Sequence, residues 1–192
     1  FRETFGGIHK KFGVNPDICM FGKALGNGYA ITAVVGKRDI MSAAENTFIS
    51  STFWTERIGP SAALKTLEVM KRIKSWEVIT EVGKKVRSGW EIISKKNSLD
   101  ITIEGIPSLS SYKFNSNNDL YQTFITQEML KRGFLASNRF YASISHDDEK
   151  IELYLANLNE VFFELKQNID DGIAIESILA SATRHSGFKR LN

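Results

Sequence analysis

Apolar positions divide this chain into stretches of different period. The first stretches are short and continuous: Ile18-Cys19-Met20-Phe21, after the turn Gly13-Val14-Asn15-Pro16-Asp17, and Ala30–Val35. Continuous apolar runs of this length predict strands buried on both faces, inside a parallel or mixed sheet. Asp39 is placed to cap a short helix, Ile40–Ala44. The period then lengthens. Ala63, Leu64, Leu67, Met70 and Ile73 recur at helical spacing and predict a helix from about Pro60 to Lys74. Pro60 suits its first turn, where a missing N–H costs nothing. Ile79, Val82, Val86, Trp90 and Ile93 mark the inner face of a second helix, Trp76 to Lys96. Its other face carries Glu81, Lys84, Lys85, Arg87 and Glu91 and is expected to be solvated.

From about Ser98 the pattern alternates. Asp100–Gly105 reads as a half-buried strand and Leu109–Phe114 as its partner, with Ile106-Pro107 between them. A helix capped by Asp119 is expected over about Leu120–Arg132, facing inward with Tyr121, Phe124, Ile125 and Met129 and closed by Gly133. Phe134–Ala136 and Tyr141–Ser145 read as short strands. Asp147 or Asp148 caps the last long helix, whose buried face is Ile151, Leu155, Leu158, Phe162 and Leu165. A short helix near Ile173–Ala180 and the basic tail Arg184–Asn192 follow. The expected organisation is an α/β layer over residues 1–75, a connecting helix over 76–97, and a small α+β domain over 98–192.

Composition narrows the function classes. The 192 residues are 42% hydrophobic and 24% charged, an ordinary globular balance. A net charge of +3 argues for neither nucleic acid nor a membrane surface as partner. No apolar run approaches the ~18 residues that span a bilayer. Cys19 is the single cysteine, so no internal disulfide forms, and a reducing compartment such as the cytoplasm fits. Its place in an apolar run predicts a buried, inert thiol. His9 lies among lysines with no second ligand at metal-binding spacing, so no metal site is expected. The chain opens on Phe1-Arg2-Glu3-Thr4, without methionine, and is expected to be cut from something longer.

Two stretches carry candidate chemistry. In Phe21-Gly22-Lys23-Ala24-Leu25-Gly26-Asn27-Gly28 a lysine sits between two strands. There it can point into a cleft, where desolvation lowers its pKa and leaves an amine able to form a Schiff base. The same spacing fits an exposed lysine in a glycine-rich turn. The second stretch, Ser50-Ser51-Thr52-Phe53-Trp54-Thr55, lies ahead of a helix start. Hydroxyls there can hold a phosphate beside free backbone N–H groups, or serve as a polar strand edge with an N-cap.

Taken together, Val14-Asn15-Pro16-Asp17, Phe21–Gly28 and Ala33-Val34-Val35-Gly36 resemble the class III aminotransferases. Those are pyridoxal-phosphate enzymes of fold type I, with a large α/β domain and a small C-terminal α+β domain. Phe1-Arg2 resembles the end of the family's Asp-Glu-Val…Gly-Phe-Arg motif, and Thr55 followed by Gly59-Pro60 its Gly-Thr…Asn-Pro motif. Ser51–Pro60 and the ending His185–Leu191 look closest to the glutamate-1-semialdehyde aminomutase-like branch. The resemblance implies that Lys23 forms a Schiff base with pyridoxal 5'-phosphate and moves the substrate proton. It implies that Thr55 reaches the cofactor phosphate of a partner subunit in a homodimer with shared sites, with Ser51 and Thr52 as weaker candidates. The reaction expected is amino-group transfer between a small-molecule donor and a carbonyl acceptor, or within one molecule. The aspartate expected to pair with the pyridine nitrogen lies upstream of Phe1, so the chain alone is expected to be inactive. Trp54 stands where many members have glycine, and Gly59 where many have asparagine. A degenerate, non-catalytic module serving dimerisation or protein interaction is the alternative.

Overall fold

The computed structural model describes residues 1–187 and divides the chain into two compact units, Phe1–Ile79 and Thr80–Asn192. The end of the basic tail, Phe188–Asn192, lies outside the described residues.

In the first unit, β1 (Ile18–Phe21) pairs with β2 (Ala33–Gly36), in register from Ile18 opposite Gly36 to Phe21 opposite Ala33. The pairing is antiparallel, so of the parallel or mixed sheet expected from the apolar runs this pair rules out the all-parallel form. The reason lies in the link. Residues 22–32 hold only a 3₁₀ turn, Lys23–Leu25, and no crossover helix, so the chain returns alongside itself. Nor are the strands buried on both faces: Ile18, Met20, Val34 and Val35 are exposed, because the sheet has only these two strands among the described residues. Cys19 is accordingly half-buried instead of buried. The Lys37–Asp17 ion pair, 2.7 Å, closes the open end of the hairpin.

A short helix, α1 (Arg38–Met41), follows and continues as a 3₁₀ turn, Ser42–Asn46. Asp39 does not cap it. The extended Lys37 holds that position, its carbonyl accepting from the N–H groups of Ile40 and Met41, so the helix begins before the aspartate. The next helix, α2 (Ile58–Ile73), starts slightly ahead of Pro60 and ends at Lys74, in the left-handed region at φ 49°. Ala63 is buried, but Leu64 faces solvent at 71% exposure. Gly59 is buried where α2 meets the chain leaving the lysine turn: a Cβ there would lie 3.0 Å from the Ala30 carbonyl oxygen.

Helix α3 (Ser75–Lys96) begins in the first unit, where Trp76 is half-buried with its ring 5.4 Å from Phe5. In the second unit its expected inner face is the observed one, with Val82, Val86, Trp90 and Ile93 buried. The sheet there is antiparallel in the order β3-β4-β5: Ile101–Ile106, Leu109–Phe114 and Arg139–Tyr141. Two helices pack together, α4 (Asn118–Lys131) and α5 (Asp148–Asp170), and α4 also packs on β4. An aromatic cluster fills the core. Tyr112 stands edge-on to Trp90 at 4.8 Å and to Phe162 at 6.0 Å, and Phe114 lies 5.5 Å from Phe162.

Asp147 caps α5 as expected, accepting from the Lys150 N–H. Other boundaries differ for local reasons. Asn117, left-handed at φ 48°, precedes α4. Asp119 is therefore inside the first turn and pairs with Arg184. Phe134–Ala136 forms no strand, and Leu135 is 97% exposed. The expected strand Tyr141–Ser145 is cut short after Tyr141, because Ser143 and His146 close a turn on each other. Only a 3₁₀ turn, Ile175–Ile178, stands in place of the short terminal helix.

Gly83 shows how tightly this second unit is built. A Cβ on it would lie 1.8 Å from the Pro107 carbonyl oxygen in the β3–β4 turn. Helix propensity alone makes Gly83→Ala stabilising by about 1 kcal/mol. The overlap with backbone reverses that sign, since overpacking costs about 1–3 kcal/mol or more. Gly83→Ala is expected to lower the urea midpoint of the second unit, and an unchanged or raised midpoint contradicts the packing argument.

Candidate active site

The turn from Gly22 to Tyr29 holds itself together. The Leu25 N–H donates to the Gly22 carbonyl (3.1 Å), Asn27 to Lys23 (3.1 Å) and Tyr29 to Gly26 (3.2 Å). Leu25 is buried and anchors it. Gly26 admits no side chain, because a Cβ would fall 2.0 Å from the Tyr29 carbonyl oxygen. Lys23 itself is left-handed, at φ 46°. That conformation costs a non-glycine residue roughly 1–2 kcal/mol, and strain of this kind collects where function requires it. The Lys23 side chain is exposed, and Nζ makes no hydrogen bond or ion pair with any described residue.

The cleft expected around this lysine is not formed by the turn's own unit. An apolar cleft of about 650 Å³ runs beside Phe1, Phe5, Cys19, Phe21 and Leu25, but Lys23 does not line it. The alternative reading, an exposed lysine in a glycine-rich turn, describes the residue within this chain.

Ser51, Thr52 and Thr55 are all exposed, in and beside the turn that runs into α2. Ser51 Oγ accepts from the Phe53 N–H at 3.3 Å, while the hydroxyls of Thr52 and Thr55 have no partner among the described residues. The start of α2 offers no free N–H groups. The Glu56 carboxylate takes those of Ile58 and Gly59, Pro60 has none, and Ser61 donates to the Arg57 carbonyl. Any anion held here therefore rests on side-chain hydroxyls and not on the helix end. Glu56 is the residue that sequence reasoning missed, and its spacing three before Gly59 was the available signal. No hydrogen bond joins Lys23 to Ser51, Thr52 or Thr55, although α2 packs on the Lys23–Leu25 turn.

The donor set fits pyridoxal phosphate in kind. An unpartnered amine on a fixed turn suits the aldehyde, and two unpartnered hydroxyls suit the phosphate. Elsewhere in the unit, the strand brings Cys19 Sγ to 3.6 Å from His9 Nδ1, a pairing with no sequence signal. No cluster able to hold a metal occurs among the described residues.

The model of the class-III aminotransferase family matches residues 3–161. The chain belongs to that family. This class-III aminotransferase chain is 32% identical over 174 residues to the 3-aminobutyryl-CoA aminotransferase of Cloacimonas acidaminovorans (strain Evry), covering 87% of this chain and 42% of that protein. It is 26% identical over 183 residues to the glutamate-1-semialdehyde 2,1-aminomutase of Polynucleobacter necessarius, covering 86% of this chain and 42% of the relative. The chain thus spans about two fifths of the length of these relatives. A transaminase solved with pyridoxal phosphate bound superposes with a TM-score of 0.78 at 20% identity, over 87% of this chain and 42% of that one. The FumI protein of Sphingopyxis sp. MTA144, solved as its pyridoxal-phosphate internal aldimine, gives 0.77 at 22%, over 84% and 40%. The fold is therefore part of the pyridoxal-phosphate-dependent transaminase fold, and family and fold together imply that cofactor. Among the described residues no helix is long and apolar enough to cross a membrane.

Proposed function

We propose that this chain carries the lysine-bearing part of a pyridoxal-phosphate-dependent aminotransferase or aminomutase, with Lys23 as the residue that attaches the cofactor. The observation that carries the reading is the unpartnered Lys23 amine, held left-handed on a glycine-built turn in a class-III aminotransferase chain. Residues 1–75 then belong to the large cofactor-binding domain, 76–97 connect, and 98–192 form the small domain.

When bound, pyridoxal phosphate supplies the electron sink that lets a substrate C–H bond break. Lys23 Nζ anchors it, and once released holds the proton taken from the substrate carbon. That role needs a neutral amine, hence cover from water. Phe48, just before the hydroxyl segment, and Phe53 and Trp54, within it, are unburied within this chain at 95%, 73% and 65% exposure. We assign them to the interface of a cytoplasmic homodimer, in which Thr55, with Ser51 and Thr52, reaches the phosphate of the partner's site. The substrates are a small-molecule amine and a carbonyl compound.

Trapping tests the assignment. Borohydride added to the whole protein with pyridoxal phosphate is expected to leave a pyridoxyl group on the peptide containing Lys23, read by mass spectrometry. A group fixed on another lysine overturns the role of Lys23. No fixed group at all favours the non-catalytic module.

A further inference from the structure

We propose that the cleft between residues 134–141 and the first turns of α5 is a binding site for a hydrophobic monocarboxylate. The inference uses the second unit alone and stands whether or not Lys23 holds a cofactor.

The cleft has a volume of about 440 Å³. Its floor is aromatic. Tyr154 stacks on Phe140 at 6.3 Å with the rings 20° from parallel, and Phe134 lies 6.1 Å from Tyr154. The rim carries Arg139, His146 and Lys150, and no aspartate or glutamate lines the cleft. These three rim groups are not equivalent. Lys150 already pairs with Asp147 through Nζ. His146 Nδ1 accepts from the Ser143 N–H at 3.1 Å, so in the neutral ring the proton sits on Nε2, which is left as a donor. Burial, then the neighbouring Lys150, hold this imidazole below the ordinary histidine range despite Asp147, so it is neutral at pH 7. The Arg139 guanidinium makes no hydrogen bond or ion pair with any described residue.

The wall that presents Arg139 is braced. Asn138 next to it accepts the Tyr112 N–H at 3.0 Å and donates from Nδ2 to the Tyr112 carbonyl at 3.1 Å. Arg184 Nη1 donates to Asn138 Oδ1 at 3.2 Å, so the C-terminal segment holds the same wall. One unneutralised guanidinium on a fixed wall, a neutral imidazole donor and an aromatic floor define the ligand. The planar fork matches a carboxylate, and the single free positive charge matches one negative charge rather than a phosphate dianion. The floor takes the apolar body, as ligand sites commonly combine a greasy cavity with few polar anchors.

Octanoate is the probe. Titrated into the chain, it is expected to shift the ring resonance of His146 saturably, that resonance being assigned among the three histidines by its loss in His146→Gln. Arg139 is exposed, so Arg139→Ala should fold normally, and it is expected to weaken octanoate binding by about tenfold, the loss of one charge-assisted anchor. Octanol, with the same apolar chain and no charge, is expected to bind more weakly and with no dependence on Arg139. The proposal is overturned if octanoate gives no saturable shift, if Arg139→Ala binds it as tightly as the wild type, or if octanol matches octanoate.

Discussion

Lys23→Ala is expected to abolish amino-group transfer by the whole protein and to remove the borohydride-trapped product. In the role proposed for Lys23, loss of the group that moves the substrate proton alone would remove about 10²–10⁴-fold in rate, and loss of the anchor would add to it. The backbone lets this effect be separated from damage to the fold. Lys23 occupies the left-handed region at φ 46°, and its side chain is exposed and makes no hydrogen bond or ion pair with any described residue. Lys23→Gly therefore removes strain as well as the amine and is expected to raise stability by a few tenths to about 1 kcal/mol, while activity is lost as in the alanine variant. Higher stability with no turnover is the signature of a residue kept for chemistry. A small exogenous amine such as methylamine should restore part of the rate to Lys23→Ala, since the missing group is only an amine. Activity within about tenfold of wild type in Lys23→Ala, beyond any general-base contribution, would remove Lys23 from the mechanism.

The lysine-bearing turn between two strands was legible because its signal is local: glycines on both sides, apolar runs beyond them, and a family pattern across the whole stretch. What the sequence left open between two readings is the lysine's exposure within this chain. Burial of a site depends on elements far away in sequence, and here Phe48, Phe53 and Trp54 remain uncovered. The helices were legible for a related reason. Val82, Val86, Trp90 and Ile93 contrast sharply with the charged positions between them, and a 3.6-residue period survives errors at the ends. Strand direction was not legible. A continuous apolar run states that a strand is short and greasy, whereas the antiparallel return of β1 on β2 follows from the length and content of the link. Strand β5 was the hardest to place. It exists because Leu109–Ser111 offers it an edge, while its own residues Arg139 and Tyr141 look outward; the strands expected at Phe134–Ala136 and Tyr141–Ser145 fall on either side and meet it only at Tyr141. Glu56 belongs with these misses, since a carboxylate that closes a helix end leaves no periodic trace.

Trp90→Ala is expected to unfold the second unit or bring it to the edge of unfolding. Trp90 is fully buried and joins three elements: it lies on α3, stands edge-on to Tyr112 of β4 at 4.8 Å, and donates from Nε1 to the Tyr154 hydroxyl of α5 at 3.0 Å. Removing the indole opens a cavity costing about 3–5 kcal/mol. It also strips a buried hydroxyl of its donor, a further loss of about 1–3 kcal/mol. Burial pushes the Tyr154 pKa up, with the Trp90 hydrogen bond opposing it, so this hydroxyl stays neutral and depends on neutral partners. The sum is a large part of the roughly 5–15 kcal/mol that holds a typical domain together. Trp90→Phe keeps one six-membered ring and removes the N–H together with part of the indole, so its loss is expected to be smaller than that of Trp90→Ala but to include the about 1–3 kcal/mol of the hydrogen bond. Near-UV dichroism of the buried tyrosines and urea denaturation read both variants. A loss below about 1 kcal/mol in Trp90→Ala would contradict the placement of Trp90 at the core. Equal losses in the two variants would leave no share for the ring that Trp90→Phe keeps. The same bond steadies Tyr154 as the floor of the Arg139 cleft, so Trp90→Phe should also weaken octanoate binding while leaving Arg139 untouched.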